Sequence, residues 1–392
     1  LDGIAISDPF YGNIDLSAIP ITDVEQIRVS TSPASPIDGP GGPGGVIEIL
    51  TTDAVGEGNA KARITGSSYP SAEVSATGRT MLGEKLAARV SASFIAGRQD
   101  FELLPSATSS ESVFIDEDRQ QSVGVVRLEY RDGDRRLVTD IWTQQTAFVV
   151  PPAQDGSANI LVIDGESQGR LGVAYDDAWQ GLKFQSRAHF HLLSRESTYY
   201  EDSALMMPAQ SEDLSANRSG LALLVNRPHG QHWHYIAAAN LESDHVDVQG
   251  FDDQHTQGRS TIAQSALAAQ YKGESFESQA SLGLAVPIGL GAEPWVEAKL
   301  ASSYKPIAAL ELSLNAGHKG RTPTLRERYR LDIGNTELGP EKVLFGEGGV
   351  RLEPISALSL SAAAYVRRTN GLIRFDAAQR LSLIHISEPT RH

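Results

Sequence analysis

The stretch Val24-Glu25-Gln26-Ile27-Arg28-Val29, then Pro33-Ala34-Ser35, Gly39-Pro40-Gly41-Gly42-Pro43-Gly44-Gly45 and Val46-Ile47-Glu48-Ile49-Leu50, decides how the chain is read. Val24–Val29 and Val46–Leu50 are short apolar runs of strand type. Between them, Pro36 to Gly45 holds five glycines and three prolines, too many breakers for a helix or a regular strand. A phosphate-binding glycine loop is the competing reading. It is disfavoured because neither a Lys-Ser/Thr pair nor a helix start follows the glycines.

Outward from this stretch the pattern changes. From Ala60 on, apolar and polar residues alternate. Leu86, Ala88, Val90, Ala92, Phe94 and Ala96 oppose Ala87, Arg89, Ser91 and Ser93, and Val126, Leu128 and Tyr130 oppose Arg127 and Glu129. Leu310, Leu312 and Leu314 oppose Glu311, Ser313 and Asn315. Successive strand side chains point to opposite faces, so each segment has one apolar and one polar face. Segments of about ten residues suffice for a tilted strand to cross a bilayer.

The connections choose between a soluble sheet and a membrane barrel. Short turns are expected at 82–85, 132–134, 176–181, 227–231, 272–274, 305–306 and 353–356, alternating with long connections near 97–120, 148–168, 198–216, 248–259 and 318–341. A soluble β-sandwich, one rival reading, has no reason to trim one end. Outer-membrane barrels do so, with short periplasmic turns and long external loops. About fifteen strands and the start of another are expected, the first beginning on the periplasmic side.

Composition narrows the classes. The 392 residues carry a net charge of −15, which argues against a nucleic-acid surface. With no cysteine, neither a disulfide framework nor a thiolate metal site is available. No run of 18 apolar residues occurs, so no transmembrane helix is expected. The mean hydropathy of −0.24 is compatible with a barrel, because alternating strands average to near-neutral values. No signal peptide is seen, and residue 1 falls inside a domain, so the chain reads as a fragment. Leu381–Arg391 bears no relation to the strand before it and reads as an adapter-derived tail, to be left out of fold reasoning.

Two sets of residues carry a family resemblance. Asp2-Gly3, Asp15-Leu16-Ser17-Ala18-Ile19-Pro20, Val24–Val29, Pro33–Ser35, Gly39 and Gly44–Ile49 resemble, in order, the C-terminal half of the plug domain of TonB-dependent outer-membrane receptors. Two positions depart from the pattern: Thr31-Ser32 stands where Arg-Gly is usual, and Asp38 where an aromatic often precedes the glycine. The second set is similar to a barrel segment of the same family: Arg321, Pro323, Glu327 and Tyr329, then Gly334, Asn335, Pro340 and Glu341.

The resemblance implies an all-β transmembrane fold, an antiparallel barrel of about 22 strands in the full protein, about 15–16 of them present here, with an N-terminal α+β plug in the lumen. It implies a plug part at 1–55, a linker at 56–59 and a barrel at 60–380, followed by the tail at 381–392. The implied function is energy-coupled uptake of a scarce solute, siderophore-iron or cobalamin, with TonB as partner through a segment upstream of residue 1. The alternative is an outer-membrane adhesin or structural barrel that keeps the plug without transport.

Candidate site residues follow. Loop 7–13, with Asp8, Phe10, Tyr11 and Asn13, and loop 36–43, with Asp38, occupy positions that in family plugs face the external ligand; packing against the barrel wall is the bland reading. The long loops are acidic, with Asp100, Glu102, Glu111, Asp116, Glu117 and Asp118 in one, Glu201, Asp202, Glu212 and Asp213 in another, and Asp247, Asp252 and Asp253 in a third. Such clusters bind Ca²⁺, lipopolysaccharide-bridging ions or cationic ligands, or are simply solvated. His189 with His191 and His232 with His234 lack a third ligand for a metal. Trp179, Trp233 and Tyr235 suit an interfacial aromatic belt near the periplasmic turns. No cofactor is implied, and no nucleophile elbow or other catalytic spacing occurs.

Overall fold

In a computed structural model the described residues are 1–67, 70–103, 113–150, 160–201, 205–250, 254–331, 334–355, 357–376 and 381–385. The N-terminal part holds two strands, β1 (Val24–Ser30) and β2 (Val46–Thr51), paired antiparallel with Ser30 opposite Val46 and Ile27 opposite Ile49. The glycine-rich connection permits this hairpin. Gly45 sits at φ +127°, and a Cβ there would lie 2.3 Å from the Ser30 carbonyl oxygen. Gly45→Ala is therefore expected to cost roughly 1–3 kcal/mol through backbone strain, lowering the urea concentration at which a protease first cuts this hairpin.

The rest is one antiparallel sheet of fifteen strands in sequential order. They are β3 (Asn59–Gly66), β4 (Ser71–Met81), β5 (Leu86–Leu103), β6 (Val113–Asp132), β7 (Arg135–Val150), β8 (Ile160–Trp179), β9 (Leu182–Tyr200) and β10 (Pro208–His229). β11 (Trp233–Gly250), β12 (His255–Lys272), β13 (Phe276–Ile288), β14 (Trp295–Ile307), β15 (Leu310–Arg321), β16 (Glu341–Ile355) and β17 (Leu358–Asn370) complete it. β3 and β17 are its edges. A short helix, α1 (Leu325–Tyr329), lies between β15 and β16. Leu372–Asp376 and Leu381–His385 pair separately with each other; the remainder of the expected tail, 386–392, lies outside the described residues.

Five of the expected short turns lie at a junction between consecutive strands at one end of the sheet; the other two come later than expected, because β14 runs through Lys305-Pro306 to Ile307 and turns at 308–309, and β16 runs through 353–355 before β17 starts at Leu358. At the other end the long connections are shorter than the sequence suggests, because pairing continues upward. β5 and β6 pair as far as Leu103 with Val113, and β9 and β10 as far as Tyr200 with Pro208. An antiparallel ladder satisfies its own backbone groups in water as well as in lipid, so it need not stop at the membrane boundary. Much of the expected acidic loop sequence is thus strand backbone.

The sheet curves around residues 1–54. Plug-side atoms touch β4 through Arg79 and β15 through Lys319, with contacts to the strands between. Alternation assigns the faces. Arg89, Ser91, Arg127 and Glu129 are buried toward the lumen, whereas Val90, Phe94, Val126 and Leu128 are exposed on the outside. An apolar exterior around a polar interior is the inverse of a soluble protein and is the pattern of a membrane barrel. Leu312 and Leu314 are exposed in the same way, while Glu311 accepts a hydrogen bond from Ser303 Oγ at 2.8 Å. Trp179, Trp233 and Tyr235 are exposed near the short-turn end, with Trp233 and Tyr235 stacked.

Candidate functional site: the plug turns and their seat

The first plug loop meets the wall toward the long-loop end, at Arg195, Leu214 and Val248, whereas the second packs through Ile37 on Ile236, Ala238, Ala266 and Ala268, closer to the short-turn end. The first is a closed turn. Asp8 Oδ1 accepts the amides of Phe10 and Tyr11 at 2.7 and 2.8 Å, and Gly12 N–H donates to the Asp8 carbonyl at 2.8 Å. An Asp side chain mimicking a backbone turn in this way fixes the loop without help from a ligand. Asp8 Oδ2 meets Arg195 at 2.9 Å, and Arg195 Nε also binds Glu166 at 2.6 Å. Phe10 is fully buried in a cluster with Leu193, Leu214, Val246, Val248 and Leu325. Asp8 and Phe10 therefore face the barrel wall here, Tyr11 is partly exposed, and Asn13 is exposed.

The second loop contains a 3₁₀ turn, Pro36–Asp38, closed by reciprocal bonds between Ser35 and Asp38. The Asp38 carboxylate accepts the Ser35 amide at 2.8 Å and is otherwise exposed. Its neighbours are fixed. Lys319 Nζ donates to the Gly39 carbonyl at 2.9 Å and to Glu297 at 2.8 Å, and Lys299 Nζ donates to the Pro33 carbonyl at 2.7 Å.

The barrel motif residues build the loop above them. Arg321 and Glu341 are opposite in the β15–β16 register and bonded at 2.5 Å. The same guanidinium grips Glu327 with two bonds, 2.9 and 3.0 Å, a bidentate charge-assisted pair. Glu327 in turn caps α1 reciprocally with Thr324. Pro323 is buried beside this cap, and Pro340 precedes the buried Glu341. Asn335 N–H donates to the Glu327 carbonyl at 3.0 Å and Gly334 N–H to that of Arg330 at 2.9 Å. The Tyr329 ring covers Gly258, where a Cβ would come within 2.3 Å of it.

Sequence alternation marks several seat residues, among them Arg89, Arg127 and Glu129, only as members of a polar face. Near the short-turn end, Arg127 binds Asp2 and Asp140 at 2.5 and 2.7 Å, Arg89 lies 3.5 Å from Asp23, and Arg131 and Arg136 share Asp53 and Glu129. Arg89 also reaches the Thr52 carbonyl. The signal that could have found them is a charged residue in mid-strand on a lumen-facing position, since burial there demands a partner.

Burial alone would raise the Asp2 carboxyl, but Arg127 and two hydrogen bonds from Thr51 outweigh it and hold it below the ordinary value. A depressed carboxylate adds stability that is present above the unfolded value, near 4, and is lost as pH falls through the folded one. Protease cutting of residues 1–54 is expected to rise on acidification below about pH 4. Asp2→Asn should flatten that dependence.

The other sequence candidates divide. Among the described residues no group of three metal-ligating side chains forms. Glu212 is buried toward the lumen and Asp213 points outward, so they do not converge. Asp247 binds His255 and Gln257 at 3.0 and 2.6 Å. The side chains of Asp100, Glu102, Glu111, Asp116, Glu117, Asp118, Asp202, Asp252 and Asp253 lie outside the described residues. His191 is buried in the lumen wall against Gln168 at 3.0 Å, and His232 binds the Lys272 carbonyl at 2.8 Å.

A curved antiparallel sheet, apolar outside, polar inside and filled by a separately folded segment, defines a plugged outer-membrane β-barrel. Residues 1–46 match the TonB-dependent receptor plug domain. The vitamin B12 transporter BtuB of Photobacterium profundum is 24% identical over 365 residues, covering 87% of this chain and 54% of its own. The siderophore receptor PirA of Acinetobacter baumannii superposes with a TM-score of 0.75 at 14% identity, covering 95% of this chain and 61% of its own. The copper transporter OprC gives 0.78 at 13% identity, covering 98% and 67%. The chain thus spans a little over half the length of its curated relative. Plug segment and barrel together have the architecture of the TonB-dependent outer-membrane receptors, and the place of such a barrel is the bacterial outer membrane.

Proposed function

We propose that the protein takes up a scarce solute across the outer membrane by TonB-dependent transport, with 1–55 as plug, 56–59 as linker and 60–380 as barrel. The carrying observation is a lumen blocked by a folded segment whose acidic side chains pair with barrel arginines, a seal held by polar contacts that water can replace. In this reading Tyr11, Asn13 and Asp38 meet the solute from below, while Asp8 and Phe10 seat the turn that presents them. TonB, energised by the inner-membrane proton gradient, is the partner that shifts the plug, and lipid with lipopolysaccharide surrounds the wall.

The relatives are a vitamin B12 transporter, a siderophore receptor and a copper transporter. The test is uptake of labelled ferric siderophores, cobalamin and copper by cells carrying the full-length gene, in strains with and without TonB. Uptake that needs TonB supports the proposal, and ligand binding without TonB-dependent accumulation would reverse it.

A further inference from the structure

The external helix α1 and the plug turn at 8–12 touch in four independent ways. Arg326 N–H donates to the Phe10 carbonyl at 3.0 Å, a backbone bond between barrel loop and plug. Leu325 packs in the same buried cluster as Phe10. The Tyr11 ring lies between two guanidinium groups, Arg195 at 4.7 Å and Arg326 at 5.0 Å. Gly12 sits so close to the α1 N-cap that a Cβ would be 2.9 Å from Thr324 Cγ2.

Neither partner is loose within itself. The turn is closed by Asp8, and α1 is closed by Thr324, Glu327 and Arg321. Two stiff pieces joined by several contacts open together or not at all, because any one contact holds the others in register.

We infer that α1 and the plug turn 8–12 form one cooperative unit, with Arg326 as the positioning residue that clamps Tyr11 against Arg195. A solute pressing on the external loop reaches the plug through this stack, and a plug drawn toward the periplasm releases α1 through it. The meaning for uptake rests on the proposed transport. The coupling itself does not, so it is read without any solute.

The experiment is hydrogen exchange on the full-length receptor in detergent micelles, following the amides of Gly12, Arg328 and Arg330, with that of Asp38 in the other plug loop as reference. Coupling is reciprocal. Arg326→Ala should therefore speed exchange at Gly12 in the plug, and Tyr11→Ala should speed it at Arg328 and Arg330 in the barrel. Each change should be about three- to thirtyfold, the range that follows from losing a cation–π contact, with Asp38 unchanged.

Arg326→Lys and Tyr11→Phe keep a cation and a ring face, and they should restore most of the protection. Exchange that rises only in the segment carrying the substitution would overturn the inference. So would a rise at Asp38 equal to that at Gly12, which would mean general loosening of the plug. Failure of TonB-dependent uptake with reciprocal exchange intact would sink the transport reading and leave the coupling standing.

Discussion

Replacing Arg195 with alanine is expected to loosen the plug by about 3–5 kcal/mol, the cost of leaving buried charge without its partner. The guanidinium sits between Asp8 and Glu166, and all three side chains are under 10% exposed. Without it two carboxylates share a desolvated site with no cation in contact, and either the turn leaves or protons are taken up. The barrel should stay intact because its ladder does not depend on this group. Heat-modifiable migration of the full-length receptor on a gel should therefore persist, while the urea midpoint for protease cutting near residues 7–13 falls.

A companion variant separates charge from packing. Arg195→Met with Asp8→Asn and Glu166→Gln removes all three charges, while the side-chain carbonyl introduced by Asp8→Asn can still accept the Phe10 and Tyr11 amides. Much of the loss should return, since neutral replacement of a buried ion cluster is often close to neutral in stability. An unchanged midpoint in Arg195→Ala would show that the cluster does not hold the plug.

Leu312→Arg is expected to cost about 2–4 kcal/mol if position 312 lies at the bilayer midplane. Leu312 is exposed on the face that carries Leu314, Val350 and Leu352, and it lies opposite Tyr304 and Val350 in neighbouring strands. Lipid is the solvent there, so a guanidinium has no partner within reach. Arginine at the adjacent position 313 should cost far less, because Ser313 shares the lumen-side face of Glu311. The readout is the urea midpoint of the full-length barrel in liposomes. Equal penalties at 312 and 313 would mean that the assignment of faces is wrong.

Most of the strands, their facing and the polarity of the sheet are legible in the order of residues, although β14 runs past the turn expected at Lys305-Pro306. Those are properties of local order: a period of two, a polar or apolar residue at each step, and turn-forming residues where strands end. The order of residues also marks the breaker-rich hairpin connection, since Gly45 needs a backbone geometry that few residues adopt. How far each hairpin stands beyond the membrane was not legible. Gly97–Gln120 is polar enough to be a loop, yet β5 and β6 pair through much of it, because pairing depends on the partner strand and not on the segment.

The site was legible only in outline. Asp8, Phe10 and Tyr11 stood out as one loop, but the alternation could not say that Phe10 fills a pocket made by β9, β10, β11 and α1, or that Asp8 answers Arg195, 187 residues away in sequence. The motif from Arg321 to Glu341 was recognisable as a pattern. Its physical content, one guanidinium tying a helix cap to the next strand, exists only in the folded chain. Charge partners across a lumen are chosen by curvature and register, which sum over many strands, and no short stretch of sequence carries that sum.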